Sequence, residues 1–329
     1  MAQTLMYLYT ESPLHAGSGS GLGTIDLPIQ RERHTDFPVV QGSGLKGALR
    51  ALARTCLDDD ATRKRLFQRI FGDATTLGTE DDGKQLLQAV FGPDTEKAIE
   101  HAGAITVGDA RLLLFPVRSL RGVFAWVTTP LILQRFQRDV ELVTGQRPPW
   151  NVPVDPDTIA STSVQSSNWS DRVLVPENSA TKLPEENVVL EEYTFTAQEN
   201  ADVDAFAQWL GGQLAGLDQW WINRIITHVV VLPGTAFRDF VLYSTEVVTR
   251  VRLDYKTKTV AGGALWTEES LPTDSLLYSP IMARKPVANG TNMTDKQALD
   301  SLRGVAQGVC QLGGDETVGR GLVRPIWSR

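Results

Sequence analysis

Leu14 to Arg50 reads LHAGSGSGLGTIDLPIQRERHTDFPVVQGSGLKGALR, and this stretch decides how the chain is organised. A short apolar strand, Leu5 to Tyr9, precedes it. It closes in a helix whose first turn carries Gly44, Lys46 and Gly47. Between strand and helix lies a loop of about thirty residues, where ordinary connections have about 2–6. Ile25, Leu27, Ile29, Phe37 and Val39 lie within it and argue against free disorder. The loop holds three kinds of chemistry. His15 and Asp26 are groups that move protons or bind a metal. Arg31, Arg33 and His34 suit phosphates. The Gly42–Gly47 turn offers backbone N–H groups at a helix start to an anion.

The 329 residues suffice for one elaborated domain or two ordinary ones, and at 42% hydrophobic content a sizeable core can form. No run of 18 apolar residues exists, so no transmembrane helix is expected. The opening MAQTLMYLYTESP lacks a basic segment and a long apolar core, so no signal peptide is expected and the location reads as cytoplasmic. Cys56 and Cys310 fall in helical patterns far apart and read as reduced core thiols. A net charge of −7 and a pI near 5.2 argue against a free-standing, sequence-independent nucleic-acid binder. They leave room for a subunit whose basic groove is local.

In chain order, Leu45, Ala48, Leu49, Leu52, Ala53 and Cys56 repeat at helical spacing, with Ser43 as the expected N-cap. Asp58–Asp60 reads as a solvated junction capping a second helix through Leu66, Ile70 and Phe71. Residues 72–83 read as a surface loop. Ile105–Val117 and Gly122–Thr128 read as strands, and a helix follows Thr129-Pro130 through Leu142. Six prolines punctuate Ser, Asn and Asp residues across 145–190, with short β-like pieces at Arg172–Val175 and Val188–Thr196. That composition suits a protruding arm or a surface insertion without a role, and composition alone leaves the two level. Helices follow over 201–227, then a strand at Thr227–Leu232 and a short helix at Phe237–Tyr243. Strands are expected at Val247–Leu253, from Gly262-Gly263 to Trp266, and at Leu276–Ala283. Thr294-Asp295-Lys296-Gln297 is a capping box opening a helix expected to run through Val309 and stop at Gly313-Gly314. Leu322–Trp327 closes the chain as a strand. Strands at both ends with helices between them suit an α+β fold.

Gly42-x-Gly44-x-x-Gly47 matches the G-x-G-x-x-G fingerprint by letter. A dinucleotide fold, however, needs a strand after the helix, ending in an acidic residue, and Asp58–Asp60 sits between two helices. The glycine turn beside Lys46 is what remains. His15, His34, His101 and His228 show no zinc spacing. Asp26 stands between Ile25 and Leu27, and from the residues alone a turn aspartate is the simpler reading.

H-A-G-S-G at His15, I-D-L-P-I-Q-R-E-R-H-T at Ile25–Thr35, G-S-G-L-K-G-A-L-R at Gly42–Arg50, V-G-D-A-R-L-L-L-F-P-V-R-S-L at Val107–Leu120, G-G-A-L-W-T-E-E-S-L-P at Gly262–Pro272 and G-G-D-E-T-V-G-R-G at Gly313–Gly321 occur in this order. Together they resemble one family, the RAMP proteins that form the repeated backbone of type III-B CRISPR (Cmr) effector complexes as their fourth subunit. The resemblance runs from about residue 4 to the C-terminus and is weakest over 145–190.

The resemblance implies an RRM-like, ferredoxin-like palm with helical insertions and a protruding β-hairpin thumb. It divides the chain into 1–144 (first part of the palm, with a catalytic loop at 10–42), 145–196 (thumb) and 197–329 (second part of the palm). Copies would stack helically along a CRISPR RNA, with other Cmr-complex subunits and a target RNA as further partners and no membrane. Asp26 matches the aspartate required for cutting target RNA, His15 a histidine of the same site, and Glu246 a late acidic residue. Ser43, Gly44, Lys46 and Arg50 fall in the guide-binding turn and helix start, and Gly319 and Arg320 in the glycine loop beside it. Arg31 and Arg33 would steer the target phosphate. A divalent metal, Mg²⁺ or Mn²⁺, would sit on Asp26.

RNA cleavage can use the substrate's own 2′-OH, so no Ser or Cys nucleophile is needed, only in-line geometry and charge at the phosphate. Two rivals stand beside a target-cleaving subunit: the same assembly role without catalysis, and a small-molecule enzyme holding a nucleotide at Gly42–Gly47.

Overall fold

The computed structural model describes residues 1–19, 21, 23–72, 78–93, 101–154, 171–287 and 292–328. Its architecture starts from β1 (Ala2–Thr10), which pairs antiparallel with β14 (Leu322–Trp327) on one edge and β12 (Leu276–Ala283) on the other. Every residue of β1 from Thr4 to Thr10 is buried, so alternation is absent where the sequence would show a one-faced strand. The cause is cover on both faces. Tyr7 meets Phe136 of α4 (Pro130–Thr144) at 6.2 Å between ring centroids. Thr4, of opposite parity, accepts a hydrogen bond from Arg303 of α8 (Asp295–Val305).

β4 (Ala110–Arg118) lies beyond β12, giving the order β14-β1-β12-β4. With α1 (Gly42–Asp58) between β1 and β4, and α8 between β12 and β14, these elements form the β-α-β-β-α-β ferredoxin-like unit. The fold is α+β with an RRM-like palm. α2 (Asp60–Phe71) and α3 (Glu80–Phe91) pack with α1 and α8 as a helical insertion. β2 (Val39–Val40) adds to β4, β3 (Ile105–Val107) to β12, and β13 (Cys310–Gln311) to β14.

On the far side the sheet continues through β5 (Phe124–Thr128), β9 (Val229–Val231), β6 (Arg172–Val175), β8 (Tyr193–Glu199) and β7 (Asn187–Leu190). α5 (Ala201–Gln213), α6 (Gln219–His228) and α7 (Gly234–Tyr243) cover it. β10 (Glu246–Leu253) and β11 (Val260–Ser270) make a separate two-stranded sheet.

Several expectations shift. α1 begins at Gly42 with Gln41 as N-cap, not Ser43, because the Gly42 N–H is held by Asp109 Oδ1 at 2.7 Å. The single strand expected over Ile105–Val117 breaks at Gly108-Asp109, where Asp109 turns to make that bond. Residues 80–91, read partly as loop, are helical, opened by a capping box on Thr79. α8 stops at Val305 rather than Val309, and Cys310–Gln311 joins the sheet instead. The junction at Asp58–Asp60 forms as expected, Asp59 accepting from Thr62 N at 2.7 Å. α1 runs into α2 with no strand between them, which removes the structural basis of the dinucleotide alternative. Both cysteines are free thiols.

The described part of 145–196 does not stand out as an arm. Trp150 stacks on Phe136, and Val173, Val175, Val188 and Leu190 are buried as β6 and β7 extend the sheet. Few apolar residues suffice there, because those present are buried, alternately in β7 and consecutively in β6. Residues 155–170 of that expectation lie outside the described residues. The hairpin that stands apart is β10–β11, with Val251, Leu253, Val260 and Leu265 exposed and Tyr255 at its turn 85% exposed.

Two consequences are testable. A Cβ at Gly42 would lie 2.5 Å from the Val107 carbonyl oxygen, a backbone atom. Gly42→Ala should therefore cost about 1–3 kcal/mol in urea denaturation. His228 is buried and its imidazole is pushed down to about 4, by burial first and then by Arg224. The unfolded chain thus binds the extra proton between the ordinary value of 6.5 and about 4. Stability should fall as pH falls through that window, and His228→Gln should remove on the order of 2 kcal/mol of the drop, read from denaturation midpoints at pH 7 and pH 4.

Candidate functional site

The long loop is built as a strand-like excursion against β11. Leu14 and Leu271 exchange both backbone hydrogen bonds at 2.9 Å. Leu27 N donates to Thr267 O and Glu269 N donates to Leu27 O, both at 3.0 Å. The loop also pairs with itself, Gln30 N to Ala16 O at 2.8 Å and Ser18 N to Pro28 O at 3.0 Å. At Gly21 a Cβ would lie 2.7 Å from the Ile25 carbonyl oxygen, so the fold-back needs a glycine there. At Gly17 a Cβ would lie 2.7 Å from His15 Nε2.

Asp26 sits exposed at the outer end of this ladder. Its Oδ2 accepts from Thr267 N at 2.8 Å and from Thr267 Oγ1 at 2.9 Å. Those bonds, the backbone one first, hold its carboxyl below the usual carboxylate range, so it is ionised at neutral pH. His15 Nδ1–H donates to the carbonyl of Glu269 at 2.6 Å, which leaves Nε2 as the acceptor nitrogen of the neutral ring. The His15 carbonyl in turn accepts from Gly314 N at 2.9 Å.

Glu268 and Glu269 are both buried, pointing to opposite sides of the strand. Glu269 Oε2 accepts from Ile29 N at 3.0 Å, and its Oε1 from Arg31 at 2.5 Å and Thr245 Oγ1 at 2.9 Å. Glu268 pairs with Arg250 at 2.8 Å, and Arg250 also reaches Asp315 at 3.0 Å. Burial, then the neighbouring Asp315, raises Glu268, while the hydrogen bond from Glu268 lowers Asp315. The two carboxyls are pushed in opposite directions beside Arg250, which both of them reach.

The expected phosphate and guide contacts divide. Arg31 is turned inward, to Glu269 and to the Asp36 carbonyl at 2.8 Å, and is not placed to meet solvent phosphate. Arg33 is exposed. Lys46 Nζ donates to the Ile105 carbonyl at 2.9 Å. Desolvation lowers its pKa, with Arg50 and Arg284 adding to the shift. Ser43 is exposed beside it and Arg50 half-buried. Gly44 and Gly47, with open space where a Cβ would be, face Gly313, Gly314, Gln30 and Gln311 across a groove of about 680 Å³. Gly319 adopts the left-handed conformation at the end of the short Glu316–Val318 turn, and Arg320 pairs with Glu246 at 3.2 Å. Glu246 faces Ser270 in the hairpin register, three residues along from Thr267, roughly 10 Å at strand rise. It therefore joins Arg320, not Asp26.

Sequence reasoning missed Thr267, Glu268, Glu269, Arg250 and Asp315 as site residues. The signal was there in the adjacent carboxylates of T-E-E-S, since a strand covered on both sides must pair each of them. Their partners lie up to 240 residues away in sequence.

Among the described residues no group of three or more His, Cys, Asp or Glu side chains could hold a metal ion. Asp26 alone is one carboxylate, so these residues do not make a metal site by themselves. No helix among them is long and apolar enough to cross a membrane.

A family model described as the RAMP superfamily matches residues 7–324. The chain is similar to the CRISPR system Cmr endoribonuclease Cmr4 of Pyrococcus furiosus, 38% identical over 98% of this chain and 95% of that protein. It is also similar to the CRISPR system CMR subunit Cmr4 of Saccharolobus solfataricus, 25% identical over 95% and 92%. Among solved structures, oligomeric Cmr4 from Pyrococcus furiosus superposes with a TM-score of 0.65 at 28% identity, over 100% of this chain and 98% of that one. A chain of the type III-B Cmr-beta complex bound to cognate target RNA gives a TM-score of 0.65 at 20% identity, over 99% and 97%, a likeness of fold.

The Thr267 contacts yield a direct check. Thr267→Val deletes the hydroxyl donor but keeps the backbone one. The Asp26 carboxyl should titrate higher than in the wild type yet stay below an ordinary aspartate, read by carboxyl-carbon NMR. No change would mean that the Thr267 hydroxyl does not hold Asp26.

Proposed function

The chain belongs to the RAMP superfamily, and from that premise we propose that it is a backbone subunit of a type III-B CRISPR effector complex, which binds the guide RNA and cleaves complementary target RNA. The observation that carries the reading is Asp26, an ionised, solvent-facing carboxylate on a loop clamped to β11. The 38% identical relative named as an endoribonuclease supports it, as does the likeness to a Cmr4 structure described as oligomeric.

The chemistry needs little from the protein. The 2′-oxygen of a splayed target nucleotide attacks its own phosphorus, the bond from phosphorus to the 5′-oxygen breaks, and a cyclic phosphate and a 5′-hydroxyl result. One proton leaves the 2′-OH and one arrives at the 5′-oxygen. His15 Nε2 and the Asp26 carboxylate are the proton-handling groups of the loop. The exposed Arg33 supplies charge toward the phosphate. The metal expected on Asp26 would need most of its ligands from RNA and water, and no step here depends on it.

The guide lies along the groove between Gly44, Gly47, Gly313 and Gly314, where missing side chains let a backbone approach closely. Lys46 contributes charge beneath that helix start rather than a direct contact. Copies of this chain repeat along the guide, and other subunits cap the row. The β10–β11 hairpin, exposed and set apart from the main sheet, is the thumb that opens the duplex. The binding-only rival has no observation in its favour, since Asp26 is present and accessible.

Asp26→Asn in the reconstituted complex should keep guide and target affinity and lower cleavage by about 10²–10⁴-fold. Cleavage at the wild-type rate would refute the assignment.

A further inference from the structure

The geometry points to Glu269 as the positioning residue of the cleavage loop, and to Arg31 as its lock rather than a phosphate contact; this rests on the function proposed above. Glu269 is 2% exposed and makes five hydrogen bonds, four of them to the loop. Its N–H donates to the Leu27 carbonyl, its carbonyl accepts from His15 Nδ1, Oε2 accepts from Ile29 N, and Oε1 accepts from Arg31. The fifth, from Thr245 Oγ1, ties the same carboxylate to the base of the hairpin. Leu27, Ile29 and Arg31 follow Asp26 on one side of the excursion, and His15 lies on the other. One side chain and its own backbone thus set both arms of the loop. The His15 bond also fixes which ring nitrogen can take a proton.

A carboxylate is needed here because three donors converge on two oxygens. An amide of the same size offers one acceptor oxygen and one NH₂. In Glu269→Gln the Arg31 guanidinium and the Thr245 hydroxyl, two donors that share Oε1, hold the single acceptor oxygen, and the Ile29 N–H must face that NH₂. The variant keeps the volume of the core but unseats one arm of the loop. Glu269 is covered by the loop and never meets RNA, so guide and target affinity should be untouched. Misplacement of reacting groups by about 1 Å costs about a hundredfold in rate.

The test uses the assembled complex under single-turnover conditions. Glu269→Gln should lower the rate at saturating target by about a hundredfold, with target Kd within about twofold of wild type. Arg31→Gln should do the same, and the double variant should be no slower than the worse single one, because both break one contact. Thr245→Val removes one hydrogen bond from the same carboxylate and should give a smaller rate loss, again without a change in Kd. If Arg31 instead meets phosphate, Arg31→Gln will weaken binding and flatten its salt dependence, which overturns its assignment as the lock.

A second arm does not depend on activity. In the free wild-type chain the Ile29 amide should be protected from hydrogen exchange, and Glu269→Gln should release it by at least about tenfold while amides of β1 stay protected. Unchanged Ile29 protection overturns the inference even if no complex cleaves. A wild-type complex that fails to cut counts against the proposed function alone. A wild type that cuts beside a Glu269→Gln variant that cuts equally well sinks this inference alone. Exchange lost together in β1 and the loop would also overturn it, by making Glu269 a general support of the fold.

Discussion

The backbone ladder between the long loop and β11 is the constraint on which the rest of the site depends. Ordering some thirty residues without a helix or a strand of their own costs about 1–2 kcal/mol of backbone entropy per residue. The return comes from hydrogen bonds made with a neighbour that is already fixed: Leu14 to Leu271, and Leu27 to Thr267 and Glu269. β11 thereby serves two structures at once. One edge pairs with β10 to make the exposed hairpin, and the other receives the loop.

This double use ties the hairpin to the proton-handling groups. Arg250 on β10 bridges Glu268 on β11 and Asp315 in the C-terminal loop, and Glu246, four residues before it and so on the same side of the strand, pairs with Arg320. The C-terminal loop in turn holds the His15 carbonyl through Gly314 N. The groove, the loop and the root of the hairpin are therefore neighbours through named contacts. Glu268 is the buried member of this group, and its charge is tolerable there because Arg250 pairs with it; removing Arg250 would leave a buried carboxylate without its partner.

The palm beneath is held by the central position of β1. Flanked by β14 and β12 and covered by α4 and α8, it joins the two ends of the chain into one sheet. Close approaches make this possible at particular points. Gly42 lets the start of α1 touch the Val107 carbonyl, and the Asp109 carboxylate then takes the Gly42 N–H. A helix start held in this way has part of its N–H set already satisfied, and the open part of the anion-ready turn lies further on, at Gly44 and Gly47, where the groove runs.

The sequence by itself determined what depends on local pattern. β12 and β14 were legible to the residue from their apolar runs, the acidic junction placed α2 and one capping box placed α8 at their N-termini, and the motif series with Asp26 and His15 pointed to the family. The length of the loop marked it as functional before its contacts were known. Tertiary structure decided what depends on partners distant in the chain. Arg31 looked like a phosphate ligand because a loop arginine beside Arg33 and His34 has no local acceptor to occupy it; its acceptor, Glu269, arrives from 238 residues away. Lys46 is drawn under the helix by the Ile105 carbonyl, and Glu246 is drawn away from Asp26 by the hairpin register. Composition suggested an arm at 145–196, but composition counts apolar residues without saying which way they face. In β6 and β7 they face the core, whereas in β10 and β11 more of them face water. Whether the described strands of such a segment stand free is settled only by whether they find a sheet to join.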